Sequence, residues 1–308
     1  MRFAFTDDQL ALRDAVRDLL AAECPPEVVR ASWPAPDADG QGPGAGARAE
    51  TERLDTVWSH LADMGVLGLL VPEADGGMGF DEVAAAVVLA ETGYTAVPLP
   101  VVEAMCVVAP ATGDTAPARG HVGWGGEALA GEPVDGALTR FGSSVEADDR
   151  AFERAALGTA AQLVGLGRRM VDLTVDYVAE RQQFGVPVGS FQAVKHHLAD
   201  ARLALEFAAP AVWRAAWSLS QGSDTAERDV SMAKAMAADA AHLVGRKALQ
   251  CHGGIGYTVE YDLHLFLKRT WALERLWGDA AWHRRRVAAA IGVENVHGPA
   301  REDRGVLA

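Results

Sequence analysis

Three groups of residues in this 308-residue chain have types and spacings that could do chemistry. The first is Arg181-Gln182-Gln183-Phe184-Gly185, continuing through Val186-Pro187-Val188-Gly189-Ser190-Phe191-Gln192. It places a guanidinium where Gly185, Pro187 and Gly189 forbid an unbroken helix. An arginine in a last helical turn complements that helix's dipole. With Gln183 and the freed backbone amides, the same arginine makes an anion-binding corner. The residues alone allow both readings. The second group, Gln250-Cys251-His252-Gly253-Gly254-Ile255-Gly256-Tyr257, has the glycines of a helix-ending loop. The third is a scatter of acids and bases: Glu260, Glu274, Asp279, His264 and the pair His196-His197. None has the spacing of a metal site, so no metal is expected. Glu260 at a helix start also suits an ordinary dipole partner.

Helices must position these groups. Leu157, Val164, Val171, Val175 and Val178 recur at helical spacing before Arg181, and Phe191, Val194, Leu198, Leu203 and Leu205 resume it afterwards. Ala201 to Leu219, Ala226 to Leu249 and Tyr261 to Val287 complete four long segments, which predicts an antiparallel bundle over 152–291. Gly158, Ala160, Ala161, Gly165 and Gly167 suit close helix approach. Towards the N-terminus, Thr6-Asp7-Asp8-Gln9 fits a capping box, so a helix runs from Asp7 to Glu23, stopped by Pro25-Pro26. Residues 32–48, with glycine at every second position from Gly40 to Gly46, read as a surface linker. Helices are expected over Leu54–Met64, Val83–Thr92 and Val101–Pro110, giving an N-terminal helical unit over 1–110. Residues 111–151 hold many Gly, Pro and Asp, with short strand-like pieces such as His121-Val122-Gly123-Trp124. They have room for one or two small hairpins. A tail over 292–308 closes the chain.

Composition narrows the function classes. With 49% hydrophobic residues the chain can bury a large core. Against 42 acidic residues stand 28 Lys and Arg, a net charge of −14, which disfavours nucleic acid and anionic membranes as partners. Cys24, Cys106 and Cys251 lie far apart, so neither a disulfide framework nor a zinc site is expected, and a reducing cytoplasm is the natural setting. No signal peptide or membrane span is read.

In this order and spacing, Arg181-x-x-Phe184-Gly185, Phe191-Gln192 and Gln250-x-x-Gly253-Gly254-x-Gly256-Tyr257 resemble the C-terminal domain of the acyl-CoA dehydrogenase superfamily. Trp58, Gly65, Gly68, Val71-Pro72-Glu73, Gly76-Gly77, Gly79, Glu91-x-Gly93 and Pro98-Leu99-Pro100 are similar to its N-terminal helical domain, which lines the acyl-CoA pocket. The resemblance implies a mainly α fold: an N-terminal helical domain, a C-terminal four-helix bundle and, here, a strongly reduced middle β-region. It implies FAD, whose ADP half is held by a neighbouring subunit: Arg181 at the pyrophosphate, Phe184 near the adenosine, amide hydrogen bonds from Gln192 and Gln250, and backbone approach at Gly253-Gly254. Gln183 stands where the family often has Thr or Gln. The family's catalytic base has two known positions. Counted without gaps, one falls at Trp277-Gly278-Asp279 and the other at Ala155; Glu153 is offset by roughly 200° of helix rotation. The residues at the base positions themselves, Trp277 and Ala155, carry no carboxylate.

The expectation is therefore a subunit of an FAD-dependent acyl-CoA dehydrogenase that contributes ADP-side contacts while a longer partner supplies the flavin ring site and the base. Heterotetrameric α2β2 members of the family, some acting on CoA thioesters of steroid side chains, divide labour in this way. A homodimer is the other assembly considered. The alternative function is a flavin-independent lyase, hydratase or isomerase on the same scaffold, with Glu260, Asp279 or His264 as acid and base. A purely structural interaction protein is the third reading.

Overall fold

The computed structural model describes residues 4–32, 45–117, 123–124 and 146–293. It is mainly helical. In the N-terminal unit, α1 (Asp7–Glu23), α2 (Pro26–Ala31) and α3 (Ala45–Asp63) precede α4 (Glu82–Tyr94), and a broken segment follows: α5 (Val101–Glu103), a π turn (Ala104–Val108) and α6 (Ala109–Thr112). The expected capping box forms at α1: the Thr6 hydroxyl accepts from Gln9 N–H at 3.2 Å and the Gln9 side chain accepts from Thr6 N–H at 3.0 Å. Asp81 caps α4 by accepting from Val83 and Ala84 N–H. The glycine-rich linker assigned to 32–48 needs correction at its end, because residues 45–48 already belong to α3; its central residues, like the tail beyond 293, lie outside the described residues.

The bundle consists of α7 (Asp149–Glu180), α8 (Gln192–Ser220), α9 (Ala226–His252), α10 (Leu263–Arg275) and α11 (Ala280–Ala290). The fourth segment, expected as one helix over Tyr261–Val287, is two. The chain turns at Leu276 to Asp279, with Trp277 at φ 56° and Gly278 at φ 91°. Asp279 then caps α11, its carboxylate accepting from Trp282 N–H at 2.7 Å. Only the folded neighbours explain this break: Lys234 of α9 donates to the carbonyls of Leu273, Glu274 and Gly278. His283 contacts the Trp277 carbonyl at 2.9 Å.

One continuous hydrophobic core runs from α1 through α11. Its tightest seam is between α4 and α7, where a Cβ on Gly165 would lie 1.9 Å from the Ala90 carbonyl and one on Gly93 would lie 2.1 Å from the Gln162 carbonyl. Glycine on each helix lets the backbones touch. Buried carboxylates lock the same helix: Glu91 is held by Arg17 and Arg168, and Glu82 by Arg150 and Arg154. These guanidinium contacts outweigh burial and hold both carboxyls below the usual range.

Strand content is minimal. Within 111–151, β1 (Gly123–Trp124) pairs with β2 (Glu146–Ala147) in parallel, so this pair is not the hairpin expected there. A true antiparallel hairpin forms elsewhere, from β3 (Gln182–Gln183) and β4 (Val186–Pro187). Phe184 and Gly185, at φ 54° and 80°, make its two-residue turn, since that turn requires two positive φ angles.

Candidate functional site

The hairpin β3–β4 interrupts the bundle at one end, and there the chain opens a cleft of about 610 Å³. Arg181, one residue past α7, is pinned through its backbone: its N–H donates to the Tyr177 carbonyl at 2.9 Å and its carbonyl accepts from Val188 N–H at 2.7 Å. Its guanidinium is exposed. Among the described residues no carboxylate pairs with it. The last residues of α9 and the 3-10 turn Gly253–Tyr257 form the opposite wall.

The cleft gathers five of the residues singled out from the sequence: Arg181, Gln183, Gln250, Gly253 and Gly254. Phe184 stands at the hairpin tip, 93% exposed, and meets Phe191 edge-on with ring centroids 6.4 Å apart. Gln192 is the exposed first residue of α8 and is not among the lining residues. Sequence reasoning passed over Tyr177 and gave His252 no role of its own, and it weighed His197 only as one of a histidine pair, whereas all three line the cleft. Tyr177 lies four residues before Arg181, the spacing of one helix face, so its position was a readable signal. His252 sits inside the glycine motif and packs between Tyr177 at 4.5 Å and Tyr261 at 4.8 Å. Burial lowers its pKa, opposed by the contact of Nδ1 with the Ala248 carbonyl at 2.8 Å. The ring is therefore neutral, with Nδ1–H donating.

The two glycines differ. Gly253 ends α9 at φ 63°, ψ −138°, a conformation that only glycine adopts without strain. Gly254 has no such angle, and a Cβ there would meet nothing within 4 Å. Nothing inside the chain requires glycine at 254; an external group pressed against its backbone would. Gly253→Ala is expected to lower unfolding free energy by about 1–3 kcal/mol, whereas Gly254→Ala stays within about 0.5 kcal/mol of the parent. Urea titration of both variants checks this, and equal losses would remove the distinction.

The acid–base candidates are not brought together. Glu260 is exposed beside the glycine loop, where its own N–H bonds to the Thr258 hydroxyl. Asp279 is engaged as the α11 cap, and the Nδ1 of His264 contacts the Tyr261 carbonyl. Ala155 is fully buried and Trp277 is 4% exposed; Phe152, one helical turn before Ala155, meets Trp277 edge-on at 6.0 Å. Glu153 is directed to Arg286 of α11. Among the described residues no group of His, Cys, Asp and Glu could hold a metal ion, and no helix is long and apolar enough to cross a membrane.

The fold and cleft define a mainly helical protein whose C-terminal bundle presents a cationic corner beside a glycine loop. Residues 6–112 match the family model of the acyl-CoA dehydrogenase N-terminal domain, and residues 145–292 that of the C-terminal domain. The chain belongs to the acyl-CoA dehydrogenase family, whose members bind FAD. It is similar to the acyl-CoA dehydrogenase IpdE2 of Mycolicibacterium smegmatis, at 28% identity over 93% of this chain and 99% of that one. It is also similar to IpdE2 of Mycobacterium tuberculosis, at 29% identity over 85% and 91%. Among solved structures, a chain of the ChsE4–ChsE5 complex from Mycobacterium tuberculosis superposes with a TM-score of 0.73 at 22% identity, covering 96% of this chain and all of that one. That likeness shows the shared fold.

Proposed function

We propose that this chain is a subunit of a heteromeric FAD-dependent acyl-CoA dehydrogenase, and that its cleft holds the ADP half of a flavin whose ring lies on a longer partner. The observation that carries this reading is a division within the chain: the cleft assembles an unpaired arginine, amide side chains and an open glycine backbone, while both positions expected for a base are buried and apolar. When bound, FAD supplies hydride acceptance in the α,β-desaturation of an acyl-CoA thioester. The residues of this chain act on its other half.

Arg181 suits a pyrophosphate because its planar fork is charged and carries no competing carboxylate, in a chain that is otherwise acidic. Gln183 and Gln250 offer neutral amides for sugar and phosphate oxygens, and Gly254 offers a backbone without a side chain in the way. Phe184 and, beyond the cleft, Tyr257 at 76% exposed are large apolar groups at the surface, which suits a rim covered by a second subunit. The ChsE4–ChsE5 complex supports such pairing by analogy, as a two-component relative in fold.

The test is co-expression with a longer acyl-CoA dehydrogenase chain encoded nearby, followed by flavin absorbance and mass of the purified assembly. Flavin is expected in the mixed assembly and not in this chain alone. Arg181→Ala is expected to weaken flavin retention by about 10- to 100-fold, the range for losing charge-assisted hydrogen bonds, without changing the thermal midpoint of the isolated chain. Gly254→Ala should weaken retention in the same assay. A yellow, active assembly of this chain alone would overturn the proposal.

A further inference from the structure

His197 is the polar side chain that α8 brings to the cleft. Ala193, Val194 and His197 reach it from successive turns of that helix, and the first two are apolar. His196 is exposed and outside the lining, since adjacent helical residues point roughly 100° apart. Gln192, expected to supply a hydrogen bond from the start of the same helix, also lies outside it.

The His197 ring is held by a partner that does not itself line the cleft. Lys247 of α9 places its Nζ 3.1 Å from His197 Nδ1 and 2.9 Å from the Asp200 carboxylate, and neither Lys247 nor Asp200 is a lining residue. The hydrogen bond from Lys247 holds the Asp200 carboxyl below its usual range. An ammonium offers donors and no lone pair, so Nδ1 of His197 has to accept. The neutral ring then carries its proton on Nε2, because the bond made at one ring nitrogen sets the tautomer at the other. Among the described residues, Nε2 makes no hydrogen bond of its own. The ammonium also polarises the ring and strengthens Nε2–H as a donor.

We propose that His197 is a further ligand-binding residue of the cleft: its Nε2–H donates to a phosphate oxygen of the bound diphosphate, and Lys247 is the positioning residue that fixes the donor tautomer without touching the ligand. The inference rests on the reading of this cleft as the seat of an ADP group. It assigns the α8 wall to phosphate and not to the nucleoside, because an N–H polarised by an ammonium gains most from an anionic oxygen. A neutral ring supplies that bond without a second full charge to desolvate beside Arg181.

The test uses the full chain with ADP and adenosine as probes, read by calorimetry, and histidine-ring NMR. His197→Ala is expected to weaken ADP by about tenfold, the low end for a hydrogen bond to a charged group, and to leave adenosine within about twofold. Lys247→Met should weaken ADP in the same direction, and Lys247→Arg, which again presents only donors to Nδ1, should restore it. At about pH 8, above the ordinary histidine range, ring nitrogen shifts are expected to show His197 in the Nε2–H form in the parent and in Lys247→Arg, and as a mixture of tautomers in Lys247→Met. The His197 signals are assigned by their loss in His197→Ala. A parent that is already a mixture removes the role of Lys247. Equal losses of ADP and adenosine in His197→Ala overturn the phosphate contact. ADP binding that survives His197→Ala but not Arg181→Ala overturns this inference and leaves the reading of the cleft standing, whereas a parent that binds no ADP sinks both.

Discussion

Lys234→Met is expected to lower the unfolding free energy by about 3–5 kcal/mol at pH 6, the range for removing one partner from a buried charged network. Lys234 is fully buried in α9. Its Nζ lies 3.1 Å from each of three carbonyl oxygens, those of Leu273, Glu274 and Gly278. Those carbonyls are the free acceptors at the end of α10 and in the turn beyond it, groups that must otherwise find water or a cap. An ammonium has three N–H groups and an amine only two, so the charged form fits the three acceptors. Burial lowers Lys234 to about 7, against the pull of Glu274 and Asp279, and at pH 6 the ammonium is held. Methionine keeps the chain length but leaves three carbonyls without the Lys234 donor, that of Leu273 buried and those of Glu274 and Gly278 partly so. Urea unfolding of the two proteins decides the matter: a variant as stable as the parent would mean that the α10–α11 turn holds itself.

The second large effect is acid destabilisation through His283. The ring is fully buried in α11, with Nε2 2.9 Å from the Trp277 carbonyl and Nδ1 3.1 Å from the Ser231 hydroxyl. A neutral ring satisfies both: Nε2–H donates to the carbonyl and Nδ1 accepts from the hydroxyl. Burial pushes its pKa down to about 4, with the Trp277 carbonyl pulling upward and nearby Lys234 and Arg286 adding to the fall. In the unfolded chain the ring titrates near its ordinary value of about 6.5. Between those values the unfolded state binds the proton and the native state does not, so stability is full above about pH 6.5 and falls as the pH drops toward 4. The loss across that window is about 3 kcal/mol. The buried carboxyls Glu103 and Glu153, whose pKa values burial raises, act in the opposite sense. The quantity to measure is therefore the difference in unfolding free energy between the parent and His283→Gln at pH 7 and at pH 4.5. The gap should shrink by about 2–3 kcal/mol on acidification; an unchanged gap would show that His283 does not titrate on unfolding.

Both predictions concern the turn at Trp277, which the sequence concealed. Tyr261 to Val287 has helical periodicity throughout, and the periodicity gives no sign that Leu276 to Asp279 leaves the helix. The break is made by Lys234 and His283, one from another helix and the other from beyond the turn, and neither contact is a local signal. The same limit explains the middle region, where two-residue parallel strands stand in place of a hairpin. Parallel pairing joins residues distant in sequence, which turn chemistry cannot announce.

What the sequence determined by itself was whatever depends on near neighbours. The capping box at Thr6, the Asp7–Glu23 helix, the helix break after Arg181 and the loop at Gly253 all follow from residues within a few positions of one another. The order and spacing of the two motifs also sufficed for the family. Tertiary structure decided what the motif residues become. It placed Arg181, Gln183, Gln250 and the glycine pair on one cleft, left Gln192 and Phe184 outside its lining, added Tyr177 and His252, and buried Trp277 in a left-handed turn. Such outcomes depend on which helices meet and on which buried polar groups must find partners across the core, and those requirements exist only once the chain has folded.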